Sequence, residues 1–492
     1  HAILRYTRSP WRSLPPGPMG LPVIGSALKM SDKQWLLDDC SLPGDVVYLN
    51  VAGQPTVVLN TQRAAADLLD RRAATCSSRP RFIVINELLS GGLFFAFSPH
   101  NDLWRRMRRG AHEAFKISAA ARYHDMQAEE AARLALSIVS AGKEDVVQEL
   151  SALKSHFHRF ASSLVLAITY DRPIRGEDPG SDQQILKGVE AYDAKAERAI
   201  TPGAYLVEML PWMLHIPSWL AKWKREALDN HEWATGFFKG VLDNVQARMQ
   251  AHNARDCLVT TLMENRDKLG LSEKEIVWTA GIMYAVGSST TAEMLDWWTL
   301  AMIAYPWTQQ RAQAELDAVI GHGRAPRVED RLQLPYLDAL VRETLRWRTT
   351  LPVGLPHMNE ADEWYNGMFI PKGTTLIPNV YPCNLDPKVY GPDARAFNPA
   401  RHLDEIGQLK PAPADTKEEG HVAFGFGRRI CVGRHVAADS LFAAIATLLW
   451  AFKIEKVGDV DAEGFSTTGF TLHPNPFKCK FRPRFPEVEV VL

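Results

Sequence analysis

The sequence predicts a mainly α fold, in which a large helical body is joined to a small β-rich lobe. Helical periodicity dominates from about Ala64 to Trp347, with short breaks at glycine, proline and aspartate. Strand-like patterns are confined to a hairpin at Val46–Leu59 and to pieces around 363–379 and 470–481. Of the 492 residues 46% are hydrophobic and 23% charged, a composition that excludes disordered and fibrous classes.

The charge balance gives no sign of a nucleic-acid partner. Lysine plus arginine number 56 and aspartate plus glutamate 57, so the formal net charge is -1 and any basic docking surface must be local. The six cysteines, at positions 40, 76, 257, 383, 431 and 479, show neither disulfide nor metal spacing. They are typical of reduced thiols in a protein that faces the cytosol.

Residues 1–30 form a basic, proline-dense lead-in. No apolar run in the chain reaches the ~20 residues that span a bilayer, and the chain starts at His1 rather than at methionine. Basic Arg5 precedes a series of prolines from Pro10 to Pro22. Such a segment commonly follows a membrane helix on its cytosolic side, so we expect a membrane anchor to have been removed. An ordinary ordered arm is the alternative.

The most specific stretch runs from Phe424 to Gly433 and places Cys431 at the start of an apolar helical pattern. Its three glycines, at positions 425, 427 and 433, predict a turn in which positive φ lets the backbone approach something flat and bulky. Inward N–H groups and the positive end of the following helix are expected to lower the pKa of the Cys431 thiol. A haem-thiolate iron requires such a sulfur. A structural cysteine in a glycine-rich turn is the alternative.

A strongly basic helix is predicted to begin near Pro99 and to carry Trp104 and Arg108 on one face. The indole N–H and the guanidinium can together hold one carboxylate. Taken alone, the basic run would be a solvated face.

The longest helical pattern, Glu275–Ile303, has Gly287 and a run of small hydroxyl residues at its centre. Glycine costs ~1 kcal/mol relative to alanine in a helix interior, and hydroxyls compete for backbone carbonyls. A long helix that accepts this cost predicts that something approaches its backbone closely.

These motifs occur in the order of the cytochrome P450 family, which the chain resembles over nearly its whole length. Phe424–Gly433 matches the family's Phe-x-x-Gly-x-Arg-x-Cys-x-Gly loop, and Glu343 with Arg346 matches its Glu-x-x-Arg. The resemblance implies the cytochrome P450 fold, with residues 31–492 as a single catalytic domain. It further implies haem b as the cofactor and Cys431 as the ligand of the iron.

The resemblance also implies roles for residues around the haem. One group would bind the propionates or frame the macrocycle: Trp104, Arg108, His357, Arg429, Phe424, Gly425 and Gly433. Glu343, Arg346 and Arg401 would form a buried structural network, although the family's usual glutamate beside Arg401 is Ala400 here. Arginines on the outer face of the basic helix would meet an acidic electron donor.

On the oxygen side, Thr290 matches the threonine that assists oxygen activation and proton delivery. The usual acid before it is Ser289, and Val286 precedes Gly287, so the sequence departs from the family pattern. A serine can pass a proton but cannot act as a titrating donor, which leaves open whether Glu293 compensates. The substrate pocket is expected to be lined by Ala285, Val286, Leu351, Val353, Leu355 and Phe470.

The apolar, proline-broken stretch Leu206–Leu220 corresponds to the family's mobile lid over the substrate channel. Two tryptophans there suit a membrane interface, although a buried core segment is an equal alternative.

The resemblance implies a fungal microsomal class II monooxygenase at the cytosolic face of the endoplasmic reticulum membrane. It would act as a monomer on a small to medium apolar substrate, terpenoid, aromatic or lipid-like, and dioxygen. Electrons would come from NADPH through NADPH-cytochrome reductase, with cytochrome b5 as a possible second donor. Ser289 motivates one alternative, a peroxide-dependent oxygenase or isomerase. The other is a haem-bearing binding protein with little catalysis.

Overall fold

The computed structural model describes residues 9–21, 24–26, 44–141, 147–176, 179–468 and 470–492. The lead-in is therefore described only in part, from Ser9 onwards. Arg5, Pro22 and Cys40 lie outside the described residues.

The helical body predicted from the periodicity is confirmed. Its long helices are α1 (Asp102–Phe115), α2 (His124–Ala141), α3 (Leu150–Tyr170), α4 (Pro179–Ile200), α5 (Lys222–Gln250), α6 (Glu273–Ala304), α7 (Pro306–Val319), α8 (Pro335–Trp347) and α9 (Arg434–Ala451). Shorter α-helical pieces are Gln62–Ala65, Ile117–Ala120, Leu258–Glu264, Arg266–Leu269, Val380–Asn384, Pro387–Tyr390 and Val488–Val491. Single turns of 3-10 or π helix connect several of them, among them Ala66–Asp70, Ile83–Leu88, Leu206–Glu208 and Gly427–Arg429.

Helix α6 is the axis of the body. It begins in a capping box, in which the Ser272 hydroxyl accepts from the Glu275 N–H and the Glu275 carboxylate accepts from the Ser272 N–H at 2.7 Å. It packs along α3 and also contacts α1, α5, α7, α8 and α9. Trp278, Trp297 and Trp298 are fully buried along it. A helix surrounded on so many sides has little solvent face.

The β lobe is built from short strands. They are β1 (Val46–Val51), β2 (Gln54–Leu59), β3 (Gln148–Glu149), β4 (His357–Met358), β5 (Glu363–Tyr365), β6 (Met368–Ile370), β7 (Thr375–Pro378), β8 (Phe452–Val457), β9 (Phe465–Thr468), β10 (Thr471–Pro474) and β11 (Lys478–Pro483). The largest sheet has the order β1-β2-β7-β4, and the predicted hairpin is its β1–β2 edge. The others are β3-β11-β8, β9–β10 and β5–β6.

None of the helices within the described ranges is both long and apolar enough to cross a membrane.

Candidate active site

The cysteine loop is fixed by hydrogen bonds within the loop and by close contact with the turn at 66–70. The Cys431 N–H donates to the Phe424 carbonyl at 2.9 Å, which closes the loop. Gly425 and Gly427 have φ of 79° and 58°, as predicted. A Cβ on Gly427 would lie 2.0 Å from the Leu69 carbonyl oxygen, so no other residue fits there.

The prediction of positive φ at Gly433 was wrong. Gly433 has φ of -88° and caps the N-terminus of α9. A Cβ there would lie 3.8 Å from Met283 Cε of α6, which is ordinary contact. The same contact shows that the loop faces the middle of α6 across a narrow space.

The Cys431 thiol differs from the expectation in its pKa. Burial raises the pKa, and this outweighs the lowering by the Arg108 charge and by the Gly433 N–H. The predicted lowering is therefore wrong for the protein alone, because the sulfur lies deep among protein atoms. Cys431 nevertheless keeps accessible surface, whereas Cys76, Cys257, Cys383 and Cys479 are buried. Deep placement with accessible surface is the signature of a residue that lines an internal cavity.

Three guanidinium groups meet beside this loop. Arg429 donates to the carbonyls of Ser77, Phe95 and Ser98 at 2.8–3.1 Å. Arg79 donates to Ala96, Leu355 and Pro356 at 2.7–2.9 Å, and Arg108 donates to the Ile430 carbonyl. Backbone carbonyls from several segments thus hold the three cations in fixed positions.

A tryptophan and two histidines complete the cluster. The Arg429 guanidinium lies over the Trp104 indole at 4.3 Å, and the His100 ring packs edge-on against Trp104. His357 donates from Nδ1 to the Cys76 carbonyl at 2.9 Å. Burial and the Arg79 charge hold the pKa of His357 well below its ordinary value, so the ring is neutral. The structure therefore brings the predicted Trp104, Arg108, His357 and Arg429 together.

The positive charges of the three arginines are not paired with carboxylates of the described residues. Burial and the neighbouring arginines lower the pKa of Arg429, and burial and Arg108 do the same for Arg79. Among the residues that the structure describes, no carboxylate lies within ion-pair distance of Arg79, Arg108 or Arg429. Burying charges without partners costs free energy, so the arginine cradle formed by Arg79, Arg108 and Arg429 fits a ligand that carries carboxylates of its own. The two propionates of haem b have that chemistry.

Opposite the cysteine loop, α6 presents one accessible stripe. Between residues 275 and 303 every position is buried except Met283, Val286, Gly287, Ser289 and Thr290. Val286 is 42% exposed in the middle of a helix that is packed on several sides. The stripe therefore faces internal space, and its spacing of three and four residues is that of one helix face.

The hydroxyls of this stripe are turned back onto the helix. Thr290 donates to the Val286 carbonyl at 2.9 Å and Ser289 donates weakly to Ala285 at 3.4 Å. The Thr290 oxygen keeps its acceptor lone pairs for a partner in the cavity. Gly287 allows close packing, because a Cβ there would lie 3.0 Å from Val165 of α3. The predicted close approach at Gly287 thus involves α3, and Gly287 itself belongs to the accessible stripe.

The predicted glutamate–arginine network is present and larger than expected. Arg346 donates to both Glu343 oxygens at 2.7 Å, and Arg401 donates to one of them at 3.0 Å. His402 Nε2 adds a bond of 2.9 Å, and the Asn398 N–H one of 2.8 Å. Every oxygen of the buried carboxylate is therefore shared among several donors.

A second cavity, of about 260 Å³, lies between the β1-β2-β7-β4 sheet and the end of α4. Val353 and Phe470 line this second cavity, with apolar neighbours such as Ile377 and Ile200. That both residues line the substrate pocket stays a prediction. Leu351 and Leu355 are partly buried and lie outside this lining, while Ala285 of α6 is buried against protein.

Glu208 is a charged side chain in the lining of this cavity. Glu208 accepts the Ile83 N–H at 3.0 Å and the Val84 N–H at 2.8 Å. It joins the turn Leu206–Glu208 to the turn Ile83–Leu88, which are far apart in the chain. Burial raises the pKa of Glu208, against the effect of the two N–H groups.

Sequence reasoning missed Arg79, His402 and Glu208. Arg79 and Glu208 bind backbone groups of distant segments, so no spacing in the chain marks them. His402 follows the predicted Arg401 directly, and its neighbourhood could have suggested it.

Three features surround one internal space: an accessible cysteine, a cluster of arginines that fits carboxylates, and a helix stripe that carries hydroxyl groups. Together they define a haem-thiolate protein. Comparison with known proteins agrees. A family profile for cytochrome P450 matches residues 15–481. The chain is 48% identical, over its full length and 94% of the relative, to a cytochrome P450 monooxygenase of the fungus Armillaria gallica. It is 40% identical, over 98% of the chain and 90% of the relative, to cytochrome P450 monooxygenase 58 of Postia placenta.

The chain belongs to the cytochrome P450 family and is a monooxygenase of the kind these fungal relatives represent. The family carries haem, and the residues present fit it: Cys431 for the iron, and Arg79, Arg108, Arg429 and His357 for the propionates.

Proposed function

We propose that the protein hydroxylates a C–H bond of a small to medium apolar organic compound, terpenoid, aromatic or lipid-like. The observation that carries this proposal is the accessible stripe of Val286, Ser289 and Thr290 facing the space above Cys431. Haem b held by Cys431 supplies the reductive activation of dioxygen, with electrons from NADPH through a reductase.

The lining of the 260 Å³ cavity supports an apolar substrate. Its charged members are Arg81 and Glu208, and both are occupied by protein partners. Arg81 pairs with Glu87 at 2.6 Å, and Glu208 binds two backbone N–H groups. What remains for a ligand is mainly aliphatic and aromatic surface, with a few threonine hydroxyls to orient it.

Residues of the protein itself orient the haem, position a proton and restrict water. The arginine cradle fixes the orientation of the haem edge through charge-assisted hydrogen bonds. Thr290, whose hydrogen is donated to Val286, accepts a hydrogen bond in the cavity and so positions a proton there. The packed walls around α6 restrict water, which limits unproductive reduction of oxygen.

We place the protein, as a monomer, at the cytosolic face of the endoplasmic reticulum membrane, with NADPH-cytochrome reductase as its partner and cytochrome b5 as a possible second one. The support is an exposed apolar surface on the segment 206–220, made of Leu206, Met209, Leu210, Trp212, Trp219 and Leu220. Such a surface suits a lipid interface, with tryptophans at headgroup level.

Two measurements test the proposed function. The reduced, carbon monoxide-bound protein should give the red-shifted Soret band of thiolate ligation. Compounds that shift the spin state of the ferric protein should then yield hydroxylated products with NADPH and reductase. Products formed with hydrogen peroxide but not with NADPH and reductase would contradict the proposal.

That outcome is the second candidate, a peroxide-dependent oxygenase or isomerase, which Ser289 favours because no acid stands at the family's usual position. A spin-state shift without product under either condition would instead indicate a haem-bearing binding protein.

A further inference from the structure

Glu293 lies one helical turn beyond the accessible stripe of α6 and is itself buried. It follows Val286 by seven residues and Ser289 by four, so the three side chains share one side of the helix. Side chains of an α-helix lean towards its N-terminus, so Glu293 extends towards the turn that holds Ser289 and Thr290. A carboxyl group is therefore available one turn beyond the hydroxyls, although the family's usual acidic position holds serine.

The Glu293 carboxyl is buried and incompletely bonded. The residue is 9% exposed, and within the described part of the chain its Oε2 has no hydrogen-bond partner. Burial, together with Asp296, Glu197 and Asp193, raises the pKa of Glu293 well above its ordinary value, while Lys154 opposes this. The raised pKa favours the protonated form of the Glu293 carboxyl group, which can then give up a proton.

A series of carboxyl groups leads from Glu293 towards the surface. Asp193 and Glu197 of α4 lie close enough to affect its pKa, and Asp193 is in turn affected by Glu190. Burial raises the pKa of Asp193 to about 8. Glu197 is partly exposed and Glu190 is exposed to solvent. Carboxyl groups placed in succession from the surface inward can pass protons to one another, and the raised pKa of Asp193 favours this near neutral pH.

We propose that Glu293 is the proton donor on the oxygen side of this protein, in place of the acid missing at Ser289, and that Asp193 and Glu197 reload it from solvent. The inference rests on the proposed monooxygenase function. Hydroxylation of a substrate RH consumes RH, O₂, two electrons and two protons and yields ROH and H₂O. The reductase supplies the electrons from NADPH. Glu293 releases its proton towards Ser289 and Thr290 and regains one through α4.

The direct test is Glu293→Gln in the full chain loaded with haem. Glutamine keeps the size of the side chain and removes its titrating proton. We expect product formation to fall roughly 100-fold, the lower end of what positioned proton transfer contributes. The solvent isotope effect on turnover should rise and less of the NADPH consumed should yield product. The carbon monoxide spectrum and the substrate-induced spin shift should stay unchanged.

A rescue separates proton supply from a structural role. Adding Ser289→Asp to Glu293→Gln restores an acid at the family's usual position, and we expect it to recover at least tenfold of the lost rate. Glu130→Gln is the matched control, because Glu130 of α2 is also buried and, among the described residues, its Oε2 has no hydrogen-bond partner, but it lies on another helix and pairs with Arg175. It should keep turnover within about twofold of the unsubstituted protein. An equal loss in Glu130→Gln, or no rescue by Ser289→Asp, would overturn the proposal.

Infrared spectroscopy gives a readout independent of turnover. The unsubstituted protein at pH 7 should show a carbonyl stretch of a protonated carboxylic acid that is sensitive to deuterium exchange and is lost in Glu293→Gln. Absence of that band would show an ionised Glu293 and refute the proposal even if the enzyme is active. Failure of the unsubstituted protein to form product with NADPH and reductase would count against the proposed function instead.

Discussion

Glu343 and Glu293 are both buried glutamates, and their surroundings are opposite. Glu343, in the network beneath the cysteine loop, binds Arg346, Arg401, His402 and the Asn398 N–H. Burial alone would raise the pKa of Glu343, but Arg346 and His402 override it and hold the pKa well below its ordinary value. Glu293, on α6, has one oxygen without a hydrogen-bond partner in the part of the chain that the structure describes, and its pKa is raised by burial.

The difference separates two uses of a buried acid. A carboxylate that is ionised and fully paired fixes a scaffold, and moving its proton would break the pairing. A neutral acid with a free oxygen can release and regain a proton without dismantling its surroundings. The Glu343 network on the sulfur side thus holds geometry, whereas the surroundings of Glu293 fit the proton transfer proposed above.

The largest effect is expected at the sulfur itself. Cys431→Ser removes the soft ligand, so the thiolate Soret band of the reduced carbon monoxide complex and all product formation should be lost. Cys383→Ser is the control, because Cys383 is buried away from the cavity with only a 4.0 Å contact to the Leu59 carbonyl. It should keep both the band and the activity, and loss of the band in the control alone would contradict the assignment.

The second largest effect is expected from breaking the Glu343 network. Glu343→Gln leaves Arg346 without its counter-charge in a site where both side chains are 0% exposed, which should lower the free energy of unfolding by ~3–5 kcal/mol. Denaturant unfolding monitored by circular dichroism measures it. Asp67→Asn, which disturbs a solvent-exposed pair with Arg71, should change stability by less than about 1 kcal/mol. Equal effects would mean that the network is not the scaffold.

The cradle should matter for haem binding more than for folding. Arg108→Leu removes a cation whose pKa burial and Arg434 lower to about 10, so the haem-free protein should lose little stability. Haem affinity, measured by transfer to apomyoglobin, should weaken by ~1.5–3 kcal/mol, about ten- to hundredfold. Arg105→Leu, on the exposed face of α1 beside Asp102, should leave haem affinity unchanged. A weaker haem-free fold with unchanged affinity would reverse the assignment.

The effect that is smallest per unit of the measured change concerns the pH dependence of stability. Burial raises the pKa of Asp296 to about 7, so between the unfolded value near 4 and 7 the folded state holds a proton that the unfolded state has lost. Stability should therefore fall as pH rises through this window, by up to about 1.4 kcal/mol per pH unit for one proton. Asp296→Asn should flatten that slope in thermal unfolding at pH 5–8. An unchanged slope would mean that Asp296 is ionised.

The Glu343 network has the opposite sign. Its pKa is depressed, so its contribution is present above the unfolded value and is lost as pH falls below about 4.5. The two sides of the cavity should therefore be distinguishable by the direction of their pH dependence alone.

Much of this was predictable because it is encoded locally. Gly425 and Gly427 predict the turn that the loop adopts. Glu343 and Arg346 lie one helical turn apart, which predicts that their side chains meet. The cradle was only half predictable, since Arg79 is held by carbonyls at 96, 355 and 356, which no local pattern reports. The pKa of Cys431 was mispredicted because helix ends and N–H groups are visible in a sequence, whereas burial is a property of the whole fold.

Glu208 makes two backbone amides reporters of local opening. The amide hydrogens of Ile83 and Val84 are both bound by this one carboxylate, which lines the 260 Å³ cavity. These amides exchange with solvent deuterium when the carboxylate releases them, so their exchange rates report how often the turns at 83–88 and 206–208 separate.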